Sequence, residues 1–283
     1  MYRLAVDEAP TRPTVRPTER EMRRAQEVQA GFLPRRRPQL ASLECAGVTL
    51  PAQGLGGDYY DFIKLSPRRL AIALGDISGK GVPAALMTAS LQASLRSNYA
   101  LGPADLAARL QSTNRLFFEC VAEGRFATLF LGEYDDRTRR LRYANCGHVP
   151  PLLLRSDGSH EWLAPTAGLL GIREDWTCAV AEVVLGPGDT LLVYSDGVTE
   201  ARDGALVEFG VERLEAAVHA ARRLAPPSLL ESLVEEVRRF SGGRLADDLT
   251  LVAVRPRLPA GSAGGQLTQG RPRKAHADLH PSR

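Results

Sequence analysis

Aspartates stand beside or near glycine at four widely separated places in this sequence, each at the edge of a run that reads as a strand. GLGGDYYD carries Asp58, with Asp61 three residues on; LAIALGDISGKG carries Asp76; LLVYSDGVTEA carries Asp196; RLADDLTLVAV carries Asp247 and Asp248. Carboxylates brought together at one edge repel one another and take up protons unless a cation sits among them. Hard cations such as Mg²⁺ and Mn²⁺ require several oxygen ligands, and aspartate supplies both ligation and charge balance. Neighbouring glycines let the chain turn sharply and bring carbonyls close to an ion. Taken singly, each of these motifs is an ordinary turn, because Asp-Gly and Asp-Asp pairs favour turns anyway. The chemical signal lies in their combination.

The elements that would position these aspartates follow from periodicity. Short apolar or alternating runs at 45–50, 60–65, 70–75, 126–134, 139–145, 151–154, 179–185, 189–195 and 249–254 have strand lengths, and turn-forming sequences separate several of them. Helical spacing appears from near Pro83, from about 104 to 121, and at about 211–222 and 227–240. Thr18 followed by Glu21 is a capping-box pattern; Met22, Ala25, Val28, Gln29 and Phe32 then recur at helical spacing, and Pro34 is expected to end the element. Helices grouped rather than alternating regularly with strands predict an α+β fold: two packed antiparallel β-sheets flanked by helices, an α-β-β-α sandwich. The expected organisation is a flexible leader (1–17), an amphipathic linker or regulatory helix (18–34), one catalytic domain (35–256) and a disordered basic tail (257–283).

Composition narrows the function. A chain of 283 residues, 44% hydrophobic and 24% charged, can bury a substantial core and is ordinary for a soluble protein. The net charge of +3 sits at the ends: residues 256–283 carry five Lys/Arg against Asp278, and residues 1–20 carry four Arg against three acids. The middle is therefore slightly acidic, which argues against a nucleic-acid binder. No apolar run approaches the roughly 20 residues that cross a bilayer, and MYRLAVDEAP lacks the basic and apolar regions of a secretory signal, so a cytoplasmic location is expected. The four cysteines form no CxxC pair, which leaves no zinc knuckle or redox motif.

The blocks GGDYYDF, GDISGKGVPAALM, RFATLFLGEYD, LRYANCGHVPPLL, AGLLGI, DTLLVYSDGVTEA and ADDLTLVAV, in this order, resemble the metal-dependent serine/threonine protein phosphatases. Within them the chain is similar to the bacterial branch of sporulation stage II E and stress-response sigma-regulator phosphatases, over about residues 20–255. The resemblance implies the same two-sheet sandwich and a centre of two Mn²⁺ or Mg²⁺ ions. Asp76 would bridge them, with the Ile77 carbonyl contributing; Asp58 would serve one metal, and Asp196 with Asp247 or Asp248 the other, Asp247 being favoured by position. It also implies a phosphoserine or phosphothreonine protein substrate, an anti-sigma factor antagonist, hydrolysed by a metal-activated water without a covalent enzyme intermediate. A non-catalytic phosphoprotein-binding member of the same fold is the alternative.

Two departures bear on the chemistry. Ser78 stands where eukaryotic members carry a suspected general-acid histidine, and Cys146 replaces the usual alanine of the ANAGH block. His148 is expected to fix a turn before Pro150 and Pro151 rather than to act as an acid, and Lys80 to be an exposed loop lysine. GDISGKG is no P-loop, having three residues between its glycines and no Ser/Thr after the lysine. The 18–34 helix resembles the segment that switches the core in this branch, so an activator protein or self-association through it is the expected regulatory partner.

Overall fold

The computed structural model describes residues 17–34, 40–122 and 124–257. The chain runs α1 (Glu19–Ala30), β1 (Leu43–Leu50), β2 (Tyr59–Ser66), β3 (Arg69–Ile77), α2 (Gly81–Leu101), α3 (Leu106–Cys120), β4 (Ala127–Asp135) and β5 (Arg140–Cys146). It continues through β6 (Leu152–Leu154), β7 (His160–Trp162), β8 (Ala181–Val184), β9 (Thr190–Tyr194), α4 (Asp196–Thr199), α5 (Gly210–Ala221), α6 (Pro226–Phe240) and β10 (Leu249–Pro256). One sheet has the order β1-β10-β9-β6-β7 and the other β2-β3-β4-β5-β8, every pairing antiparallel.

Three apolar layers hold this sandwich together. Between the sheets, Phe62, Ile72, Leu74, Phe130 and Tyr143 meet Leu153, Leu191, Val193, Val252 and Val254. Their strand neighbours point the other way, because side chains alternate along a strand. Ala71, Ala73, Leu129 and Leu131 pack under Leu91, Leu95, Leu110 and Phe117 of α2 and α3. On the opposite side, Leu192, Tyr194, Leu251 and Ala253 pack under Leu214, Val218, Leu229 and Leu233 of α5 and α6. Central strands are thus buried on both faces, which is why LAIAL and TLLVY read as continuous apolar runs rather than alternating ones.

Two elements left no sequence signal. Strand β7 is three residues long at a sheet edge, and α4 is a single turn; both are too short for periodicity to register. The capping box of α1 forms as expected, with Thr18 Oγ1 accepting from Glu21 N and Glu21 accepting from Thr18 N at 2.8 Å. The helix stops earlier than Pro34 implied, at Ala30, with Gly31 as its C-cap. It buries none of its residues: Val28 remains 61% exposed, and Phe32, just past its end, is 40% exposed. The leader up to residue 16 and the tail from 258 lie outside the described residues. Among the described residues no helix is long and apolar enough to cross a membrane.

Candidate metal centre

Each sheet delivers one pair of acidic segments to the same edge. In the first, β2 starts where β3 ends, and the register Tyr59↔Gly75 places Asp58 opposite Asp76. In the second, β9 ends where β10 starts: Tyr194 pairs with Leu251, so Asp196 leaves the sheet beside Asp247 and Asp248. Stacking the sheets brings the two pairs together. The consequence is electrostatic: burial, then the charges of Asp196, Asp247 and Asp248, push the Asp76 carboxyl up to about 7. Burial and the charge of Asp76 likewise raise Asp58 well above the carboxylate range, although hydroxyls of Thr250 and Ser195 oppose this. Asp196 is raised by burial first and by Asp247 second.

Such a cluster fits a cation better than it fits protons. The buried Oδ2 of Asp58 has no hydrogen-bond partner, a costly condition for a carboxylate oxygen unless an ion completes its surroundings. Gly57 provides the opening: a Cβ there would lie 2.7 Å from the Ile77 carbonyl oxygen and 3.4 Å from Asp76 Oδ1. Only a residue without a side chain leaves that carbonyl and that carboxylate accessible from the same side. The donors gathered here, all carboxylate or carbonyl oxygen, are those that hard divalent cations select.

The two adjacent aspartates of the last block differ sharply. Asp248 is buried, and its carboxylate accepts from Ala52 N at 2.8 Å and Gly57 N at 2.7 Å, with Asp58 N at 3.5 Å. It staples the 52–58 loop onto the start of β10. The Asp247 side chain is 42% exposed and is met at 2.7 Å by the Lys80 ammonium, which also donates to the Ala246 carbonyl. Lys80 is thus an exposed loop lysine, as expected, and it also forms an ion pair at the rim.

Ser78 and His148 are committed elsewhere. Ser78 Oγ accepts from Phe126 N at 2.9 Å, and the Ser78 carbonyl accepts from Arg125 at 3.0 Å, so the serine ties β3 to the approach of β4. His148 is buried, with its backbone N–H donating to Asn145 Oδ1 and its Nδ1 2.8 Å from Thr128 Oγ1. Burial pushes its pKa down to about 4, which keeps the ring neutral and supports the turn-fixing reading. Helix α1 reaches the same edge: Gln29 donates to the Gly56 carbonyl at 2.7 Å and accepts from Gly56 N at 3.2 Å. No local pattern announces the Asp248 staple or the Gln29 clamp, since both depend on contacts across more than 25 residues; the Gly-Gly pair before Asp58 is the one available hint.

The family model for stage II sporulation protein E (SpoIIE) matches residues 66–257, a span containing Asp76, Asp196, Asp247 and Asp248. The chain belongs to this family. Asp58 and α1 precede the matched span. This SpoIIE-family chain is 29% identical over 261 residues to protein IcfG of Synechocystis sp., an overlap of 83% of the chain and 41% of IcfG. It is 28% identical over 243 residues to the phosphoserine phosphatase RsbU of Bacillus subtilis, covering 84% of the chain and 70% of RsbU. The SiaA-PP2C domain of Pseudomonas aeruginosa superposes with a TM-score of 0.72 at 25% identity, over 83% of the chain and 94% of that domain. The SpoIIE-family fold is thus the PP2C sandwich, as the grouping of helices and strands implied. The chain spans less than half the length of IcfG.

Proposed function

We propose that this SpoIIE-family chain is a metal-dependent protein phosphatase that hydrolyses phosphoserine or phosphothreonine on a partner protein in the cytoplasm. The observation that carries the reading is the convergence of four acidic segments around the unpartnered Oδ2 of buried Asp58. The likeness to RsbU, named a phosphoserine phosphatase, supports the reaction class. The resemblance to sigma-regulator phosphatases favours a small anti-sigma factor antagonist as substrate.

Asp58, Asp76, Asp196, Asp247 and the Ile77 carbonyl would hold two Mn²⁺ or Mg²⁺ ions. Asp248 we take as a positioning residue, because backbone N–H groups already occupy both its oxygens. Two cations in such a site supply a water of lowered pKa as nucleophile and neutralise charge on the phosphoryl oxygens. The protein's own part is geometric. The Asp248 staple fixes the Asp58 loop, the β2–β3 register fixes Asp58 against Asp76, and Ser195 ties Asp196 to β10. With Ser78 and His148 committed elsewhere, neither is assigned as the acid that protonates the leaving serine. Regulation through α1, by an activator or a second copy, is supported by the Gln29 clamp on Gly56, because displacing the helix would release the loop that precedes Asp58.

The test is phosphate release from an aryl phosphate and from a phosphoserine peptide, with Mn²⁺ and with EDTA. Mn²⁺-dependent release that EDTA abolishes is expected. Capture of the phosphopeptide without release would instead identify a non-catalytic binding protein.

A further inference from the structure

A separate cluster of ligating side chains lies far from the aspartates. His160 on edge strand β7 and Glu215 and His219 on α5 offer ligand atoms that all lie within 4.8 Å of one another. His160 Nδ1 is 3.4 Å from Glu215 Oε1, and the two imidazole centroids are 5.9 Å apart. The sequence builds this arrangement simply. Glu215 and His219 are four residues apart on a helix and so share a face. His160 and Trp162 are two apart on a strand and so share the face that packs against the helix layer. Trp162 contacts that layer, with its ring 6.1 Å from His160 and 6.4 Å from Tyr194.

We propose that His160, Glu215 and His219 form a second metal site, selective for a borderline transition-metal ion such as Zn²⁺. Two imidazoles and one carboxylate suit zinc and are a poor set for Mg²⁺ or Mn²⁺, which prefer oxygen. With metal–ligand bonds of about 2.0–2.2 Å, ligand atoms around a tetrahedral ion stand roughly 3.3–3.5 Å apart. One pair, His160 Nδ1 and Glu215 Oε1, already stands at 3.4 Å, and all the ligand atoms lie within 4.8 Å of one another. Three protein ligands at an accessible surface leave the fourth position for water, as in open zinc sites. Among the described residues no lysine or arginine pairs with Glu215, whose carboxylate lies 3.4 Å from His160 Nδ1. Strand β6 pairs Leu154 with both His160 and Thr190, placing the cluster at the end of β9 opposite to Asp196. At about 3.3 Å per residue, six residues separate the two centres by on the order of 20 Å. A metal here would pin the edge strand to α5 independently of the aspartate centre.

Zn²⁺ binding to the full chain, without a polyhistidine tag, can be followed by competition with a chromophoric chelator in millimolar Mg²⁺. The expected result is one Zn²⁺ per chain, weakened roughly 100-fold or more in His219→Gln and in His160→Asn, and unchanged in Asp76→Asn. Added Cu²⁺ should quench Trp162 in the parent and not in the His160→Asn/His219→Gln double variant, whose circular dichroism spectrum should match that of the parent. Zn²⁺ affinity equal in parent and double variant would overturn the proposal, as would binding no tighter than millimolar.

Discussion

Asp76→Asn is expected to remove Mn²⁺-dependent phosphate release by a factor on the order of 10³ or more, while the metal-free protein becomes more stable. The two effects share one cause. Asp76 sits where the two sheets meet, facing the charges of Asp196, Asp247 and Asp248 from a largely buried position. For the proposed cations Asp76 would be the central ligand, and losing its charge would remove several kcal/mol of electrostatic stabilisation from the reacting phosphoryl group. Without metal the same carboxylate is a liability. Its folded-state pKa of about 7 exceeds its ordinary value, so the folded protein binds a proton that the unfolded chain takes up only at lower pH. Stability from this group is therefore present at acid pH and is lost as pH rises through 7. Above that, the charged form costs the metal-free fold on the order of a few kcal/mol. In EDTA, thermal melts of wild type and Asp76→Asn should differ most above pH 7, with the variant higher, and converge as pH falls toward 4. Removing the Asp76 charge also lowers the Asp58 pKa, which adds to the difference in the same direction, whereas His148, whose pKa is depressed by burial and acts in the opposite direction between about 6.5 and 4, is common to both proteins.

The second large effect comes from a glycine. A Cβ on Gly197 would stand 2.1 Å from the Asp248 carbonyl oxygen and 3.0 Å from its carbon. Gly197 follows Asp196 directly, so α4 lies against the backbone at the start of β10 with no space for a methyl group. Ser195 secures that contact: its N–H donates to the Thr250 carbonyl, and its hydroxyl donates to the Asp248 carbonyl while accepting from Thr250 N. Gly197→Ala must push α4 away from β10, and Asp196 moves with it relative to Asp247. Overpacking of this kind costs about 1–3 kcal/mol. A shift of ~1 Å in a metal ligand is enough to reduce turnover about 100-fold. The measurements are the melting temperature in EDTA and the Mn²⁺ concentration giving half-maximal phosphate release. Gly204→Ala, at a glycine with nothing within 4 Å of its added carbon, should change neither.

Much of the fold was legible because its cause is local. The apolar runs around Ile72, Leu129, Leu192 and Val252 are long, and their turns carry glycine and aspartate. The elements without a sequence signal, β7 and α4, are short and hold their shape through neighbours. Helix α1 ends at Ala30, before Pro34, with Gly31 as its C-cap in ordinary helical geometry. Within the centre, the carboxylates were legible and the resemblance favoured Asp247 over Asp248 by position, but the contacts that part the two were not. Asp247 and Asp248 are adjacent and identical in chemistry; what separates them is the 52–58 loop, nearly 200 residues away, whose N–H groups meet Asp248 and leave Asp247 to face Lys80. Lys80 is the exposed loop residue that it reads as, and the approach of β10 adds its ion pair with Asp247. The His160–Glu215–His219 cluster was invisible for the same reason, since nothing in HEW announces that α5 will lie across it.

The most direct test of the central claim is to count the metal. Mn²⁺ titrated into the metal-free full chain, followed by calorimetry and electron paramagnetic resonance, should give two ions per chain. Their spectrum should be exchange-coupled, as for ions about 4 Å apart, and the coupling should vanish in Asp76→Asn. A single uncoupled Mn²⁺ signal, or coupling that survives in Asp76→Asn, would contradict the account: the aspartates would then be something other than a binuclear centre bridged by Asp76.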